Sequence, residues 1–411
     1  MALIVPFKAV RPTMEEAQII AALPYDVYSR KEAYNKVKKE PKSFLAIDRP
    51  ETQFAEDIDM YSDEVYRKAS DMLTEWISEG RFIQDKRPCY YLYELTMDGR
   101  VQTGIVACAS IDDYQNNVIK KHENTRAEKE QDRIRHVDTC SAQTGPIFLA
   151  YRSDDRVSGV ISKAKSRTPI YDFVAEDGIS HRCWIIEDMM DVALIATAFD
   201  KMDSIYIADG HHRAASAVKV GLKRREENPG YTGKEDFNFF LSVLFPDDEL
   251  KIYDYNRVVK DLNGLSANEL VQRLGDIADL IKTDTNPIRP ENKGQWSMFL
   301  DDKWYLYQVK PKFKTDDPVD GLDVSLLQNL VLEPLLGIKD PKTDSRIDFV
   351  GGIRGLEELE RRCKTDCKLA FAIYPTSIDE LFKVADAGLL MPPKSTWFEP
   401  KLRSGLFIHK I

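Results

Sequence analysis

The chain has 411 residues, with 58 Lys and Arg against 68 Asp and Glu, a formal net charge of −10 and 43% hydrophobic residues. That length exceeds one compact core, so two domains, or one domain with a large appendage, are expected. The acidic balance argues against a general DNA binder, which must neutralise phosphates with cations, and no apolar run is long enough to span a bilayer.

Residues 2–10 read as a strand, and their "MALIVPFKAV" has neither the basic start nor the apolar core of a signal peptide, so a cytoplasmic protein is expected. "LPYDVYS", Leu23 to Ser29, reads as a loop, because Pro24 removes a donor and Asp26 favours a turn. From Ser62 to Glu79 the apolar residues Val65, Ala69, Met72, Leu73 and Trp76 recur at helical spacing, with Gly80 as the stop. Asp98-Gly99, between two aromatic and β-branched runs, is the strongest hairpin signal, and Asp177-Gly178 repeats it. Between the two lie a loop, a charge-dense helix and a buried strand from Pro146 to Tyr151.

A helix from about Asp188 to Met202 leads to "YIADGHHRAAS", an apolar strand that stops at Asp209-Gly210 and restarts as a helix. "FNFFLSVLFP" is a buried strand and "SANELVQRL" a capped helix. "QWSMFLDDKWYLYQVK" is a third hairpin turning at Asp301-Asp302, and "DVSLLQNLVLEPLLGI" an apolar helix broken near Pro334. "LAFAIYPT" is a strand, "SIDELFKVADAG" a helix, and "MPPKSTWFEPKLRSGLFIHKI" a Pro-rich, basic, aromatic tail. Hairpins mixed with helices predict an α+β (mixed α/β) fold rather than a doubly wound sheet. The six cysteines are scattered, and the C-x3-C of Cys363 and Cys367 lacks the second pair a structural zinc needs.

Four of the six histidines fall in two segments. In the first, a helix starting after Gly210 presents backbone N–H groups and the positive end of its dipole to an anion. Arg213 can hold a phosphate bidentately, Gly210 permits close approach, and His211 and His212 can donate or accept protons. The plain alternative is a strand–turn–helix with Asp209 as a cap. The second segment, "KKHENTRAEKEQDRIRHVDT", places His122, Glu123, Thr125 and Arg126 in a loop and Asp132 and His136 four apart on a helix face. This set suits general-base work or water-mediated Mg2+ binding; a solvated charged helix is the other reading. Asp26 and the tail residues Lys394, Ser395, Thr396, Lys401 and Arg403 could join a ligand site, or form a turn and a packing arm.

"IADGHHRAASA" resembles the G-x-H-R-x-x-A box of the ParB/sulfiredoxin superfamily, in which this turn binds nucleotide phosphates. More specifically, "VPFKAVRP", "PYDV", "HENT", "DRIRH", "GPIFLAYR", "ADGHHR" and "MPPKSTWFEPKLRSGL" occur in order, and together they resemble the bacterial family of unknown function DUF1015, often labelled ParB-like or SpoOJ. The resemblance implies a ParB/sulfiredoxin-like phosphate-binding domain over residues 1–260 and a C-terminal α/β domain over 261–411. ParB's helix-turn-helix and sulfiredoxin's box cysteine have no counterparts here, which leaves the free-serine kinases nearest in residue chemistry.

By that resemblance the protein is a nucleotide-dependent small-molecule phosphotransferase, or a phosphohydrolase, using ATP or ADP with Mg2+. Glu123, with His122, is the implied proton acceptor; Asp209, Gly210, His211, His212 and Arg213 hold phosphates; Asp26, Thr125, Arg126, Lys394, Ser395 and Thr396 meet substrate; and Asp26 and Asp209 meet Mg2+. Free serine or phosphoserine is the implied small-molecule partner, DNA and membrane are not expected partners, and oligomeric state stays open. The alternative is a non-catalytic ParB-like nucleotide sensor that binds DNA or a protein, supported by Arg213, Lys219, Lys223, Arg224 and Arg225.

Overall fold

The computed structural model describes residues 1–125 and 127–411. The fold is mixed α+β. The chain folds as two compact units, Met1–Leu250 with Pro400–Ile411, and Lys251–Glu399. The last twelve residues therefore return to the first unit, whereas the sequence placed them with the C-terminal domain.

The first unit is built on a nine-stranded mixed sheet. Its order runs Ile119–Lys120, Ile205–Asp209, Ile147–Tyr151, Phe239–Pro246, Arg100–Ser110, Tyr90–Met97, Ser180–Ile186 and Tyr171–Val174, with Ile4–Val5 paired to Arg100–Ser110. Turn chemistry sets two of these registers. Met97 faces Arg100, with Asp98 at φ 51° and Gly99 at φ 77°, the doubly left-handed geometry a two-residue hairpin requires. Gly178, at φ 78°, turns the second hairpin.

The expected strand over residues 2–10 is two short strands, Ile4–Val5 and Val10–Pro12. Pro6 lies at the break, where it has no N–H to give a ladder. The segment read as a loop at Leu23–Ser29 contains a single 3-10 turn, Tyr25–Val27.

Helices Asp155–Lys165, Met189–Asp200 and His211–Glu227 pack their apolar stripes (Val157 and Val160; Ile195 and Phe199; Ala214 and Ala217) onto sheet residues such as Ile105, Leu149 and Ile207. A second cluster joins helices Arg30–Lys39 and Asp63–Ser78 to Phe44, Phe82, Cys140 and the C-terminal Ile408. Gly221 lets helix His211–Glu227 lie against the chain at Phe237, since a Cβ there would stand 2.4 Å from the Phe237 carbonyl oxygen.

The second unit is a six-stranded antiparallel sheet, ordered Ala278–Asp284, Lys303–Val309, Gln295–Leu300, Leu369–Ile373, Tyr255–Val259 and Ile347–Gly351. Its central hairpin turns at Asp301 (φ 49°) and Asp302 (φ 56°). The capping box of Ser266 and Glu269 starts helix Ala267–Ile277. The apolar helix Asp323–Leu327 widens into a π turn at Gln328–Leu332 ahead of Pro334, which can neither donate to the ladder nor fit a regular α turn. Among the described residues no helix is long and apolar enough to cross a membrane.

Candidate active site at the Asp209 turn

The strand Ile205–Asp209 carries a bulge between Ile207 and Asp209 where it pairs with Ile147–Tyr151. Gly210 follows at φ 93°, a region L side chains avoid, and helix His211–Glu227 begins at the next residue. A Cβ on Gly210 would sit 3.1 Å from the Arg213 guanidinium. The glycine therefore supplies both the turn and the room for Arg213 to fold back over it.

Arg213 donates to the Pro146 carbonyl and lies 3.9 Å from the Asp209 carboxylate. Lys401, from the returning C-terminal segment, donates to the same carboxylate at 3.2 Å. Burial pushes the Asp209 pKa up, but Lys401 and Arg213 outweigh it and hold the carboxyl well below its usual range. Asp209 also accepts from the Gly210 N–H at 2.9 Å, which fixes the turn.

The His122 loop packs onto this turn. The His122 and His211 rings meet edge to face with centroids 4.5 Å apart, and Glu123 Oε2 stands 4.0 Å from His211 Nδ1. Burial lowers the His122 pKa to about 4, against smaller opposing effects of its hydrogen bond to the Ile207 backbone and of Asp209. Burial, and then the neighbouring His122, push His211 well down too. Both rings are neutral at pH 7. A ring held near pKa 4 by burial is a weak base at neutral pH.

The remaining expected residues divide. Burial pushes the Glu130 pKa up, but Lys219 and Thr125, helped by His212, outweigh it and keep the carboxyl ionised; the Thr125 hydroxyl donates to it at 2.8 Å. Arg126 lies outside the described residues. Asp26 is exposed and lines a neighbouring cavity of about 190 Å³ with Arg49, Glu51, Lys129, Asp132 and Arg133. Among the described residues no interaction joins it to Asp209. Lys394, Ser395 and Thr396 belong to the second unit.

The helix Ala127–Cys140 buries Glu130, Arg133, His136 and Cys140, so this face is a polar interior seam and not the solvated surface of the alternative reading. Asp132 and His136 bond different partners: Asp132 accepts from the Tyr66 hydroxyl at 2.8 Å, while His136 Nε2 meets the Ile47 carbonyl at 2.9 Å. Arg133 stacks over the Tyr25 ring, 4.0 Å from its centroid. These two residues, with Thr144, Gly145, Arg213 and Ser404, line a cavity of about 30 Å³ behind the turn. Sequence reasoning missed Tyr25, Thr144 and Ser404 as neighbours of Arg213. Their only signal was their place inside or beside "PYDV", "GPIFLAYR" and the tail motif.

The basic run after the box is engaged. Lys219 pairs with Glu130, Lys223 and Arg224 pair with Asp138, and Arg225 clamps Asp112 with two bonds of 2.6 and 2.8 Å. A run matched by three carboxylates presents little net charge to a nucleic-acid phosphate.

For phosphate oxygens the donor set fits: the first-turn amides of helix His211–Glu227, Arg213, and Lys401 nearby. For Mg2+ the fit is poor. Among the described residues no three His, Cys, Asp or Glu side chains gather as ligands, and Asp209 already faces two cations.

No curated protein matches the sequence. Among solved structures, a mutant free serine kinase in complex with ADP is similar at 14% identity and TM-score 0.36, covering 75% of this chain and 93% of that one. SbnI with a C-terminal truncation, from Staphylococcus aureus, is similar at 11% identity and TM-score 0.40, covering 74% and 86%. A conserved hypothetical protein from Pyrococcus furiosus is similar at 14% identity and TM-score 0.32, covering 74% and 94%. At such scores these likenesses carry no argument about activity. The family model described as "Protein of unknown function (DUF1015)" matches residues 4–325, and the chain belongs to that family.

Proposed function

We propose that the protein is a small-molecule phosphotransferase whose nucleotide phosphates rest on the Asp209–Arg213 turn. One observation carries this reading: a carboxylate from a distant loop, Glu123, stands 4.0 Å from His211 at the mouth of that helix. Phosphoryl transfer needs mainly charge neutralisation and a placed acceptor for the hydroxyl proton. Arg213, Lys401 and the helix amides serve the first need and Glu123 the second. Mg2+ would arrive with the nucleotide, held mostly by phosphate oxygens. Free serine is the acceptor the box resemblance favours, and phosphoserine the donor in the reverse direction.

The cavity of about 30 Å³ behind the turn has room for water rather than a nucleotide. Tyr25 and Arg133 line both it and the larger cavity beside it, so moving this stacked pair would join the two.

The test mixes protein, Mg2+, ATP or ADP and a panel of amino acids and follows new phosphoester by phosphorus NMR. Transfer to serine supports the full reading, and transfer to another hydroxyl replaces the acceptor. Nucleotide binding without turnover in either direction leaves a non-catalytic nucleotide sensor instead.

A further inference from the structure

The second unit buries a guanidinium that no acid answers. Arg257, on strand Tyr255–Val259, is only 4% exposed. It donates to the Tyr255 carbonyl and, at 3.5 Å, to the Pro393 carbonyl, and it lies 5.1 Å above the Phe349 ring. Among the described residues it has no carboxylate partner. The nearest acids in sequence are engaged elsewhere: Asp254 holds Arg289 and Asn256, Asp348 holds Arg362, and Glu399 accepts from the Trp397 indole. Burial accordingly lowers the Arg257 pKa to about 10. A buried charge satisfied by carbonyls alone is expensive unless a counter-ion joins it.

A second cation follows Pro393, whose carbonyl takes Arg257, on the same loop. Lys394 Nζ lies 5.3 Å from the Tyr255 ring centre and likewise has no carboxylate partner among the described residues. Lys394 is exposed and its backbone is held at φ 60°, a left-handed conformation that costs an L residue energy. The surrounding loop is tied in place. Ser395 Oγ donates to the Pro392 carbonyl at 2.6 Å, and Thr376 Oγ1 donates to the Ser395 carbonyl at 3.1 Å. Trp397 packs edge-on to Tyr255, with ring centres 5.0 Å apart, over Gly351, where any Cβ would stand 2.8 Å from the indole.

We infer that Arg257 and Lys394 form an oxyanion site, of the kind that takes the phosphate group of a small metabolite, beneath the 392–396 loop of the second unit. Two cations without acids favour a dianion over chloride, and the guanidinium's planar donors suit tetrahedral oxygens. This inference does not depend on the chemistry proposed for the Asp209 turn.

The test is calorimetric titration of the full chain with inorganic phosphate in chloride buffer. Arg213→Ala is the background that weakens the first unit's turn. Phosphate is expected to bind this variant and to bind at least tenfold more weakly once Lys394→Ala is added. Arg257→Gln should lose binding further. Lys394 is exposed, so its variant keeps the fold even where Arg257→Gln does not. No phosphate binding to the Arg213→Ala protein, or equal affinity with and without Lys394, overturns the inference.

Discussion

The two ends of helix His211–Glu227 carry similar charges and use them in opposite ways. At the N-terminal end, Arg213 faces a backbone carbonyl and shares the Asp209 carboxylate with Lys401, so two cations lean on one acid. At the C-terminal end, Lys219, Lys223, Arg224 and Arg225 each meet a carboxylate from a neighbouring element. The difference lies in what packs across from each end, not in the helix itself. A basic run read along a sequence therefore overstates the charge a surface offers, and a single arginine at a glycine turn understates it.

The contrast can be broken at either end. The largest expected effect is at the N-terminal end, where Glu123→Ala should slow phosphoryl transfer by about 10²–10⁴-fold while sparing nucleotide affinity. Steady-state turnover set beside a binding titration separates the two, and an unchanged rate would remove Glu123 from the chemistry.

Next is the pH dependence of the ring beneath it. His122 titrates near 6.5 when unfolded and about 4 when folded. Above pH 6.5 both states are neutral and the group adds no slope. As pH falls from 6.5 towards 4, the unfolded chain takes up a proton the folded one refuses, so stability is lost. The shift corresponds to up to about 3 kcal/mol. His122→Asn should therefore unfold with a shallower acid dependence across that window in urea titrations. A slope identical to the wild type would mean the ring is not held neutral.

A smaller effect belongs to the packed half of the helix. Gly221→Ala forces a Cβ against the Phe237 carbonyl and should cost about 1–3 kcal/mol, read as a lower urea midpoint with nucleotide binding retained. Smallest is Arg225→Ala, which opens the pair with the half-exposed Asp112 and should cost about 1 kcal/mol or less without touching nucleotide affinity. A loss of nucleotide binding in this variant would contradict the division between the two ends.

What the sequence made legible follows the range of each interaction. The turns at Asp98-Gly99 and Asp301-Asp302 are set by residues adjacent in the chain, and so is the cap at Ser266. The turn at Gly210 was legible for the same reason, because its left-handed backbone is written into a glycine between strand and helix. Lys401 lies 192 residues from Asp209, and no local pattern signals that the last segment returns to the first unit. The sequence left open whether helix Ala127–Cys140 is solvated, because its buried residues include Glu130, Arg133 and His136, which look like solvent-facing residues until their partners are known. The neutral state of His122 was hidden likewise, since it depends on burial against His211.

The central claim is that the amides and the guanidinium at the Gly210 turn hold nucleotide phosphates. Calorimetric titration of the wild-type chain and of Arg213→Ala with ADP and Mg2+ tests it most directly. The account predicts saturable binding by the wild type, weakened about tenfold to a hundredfold in the variant. Equal affinity in the two proteins, or no binding by the wild type, would contradict it.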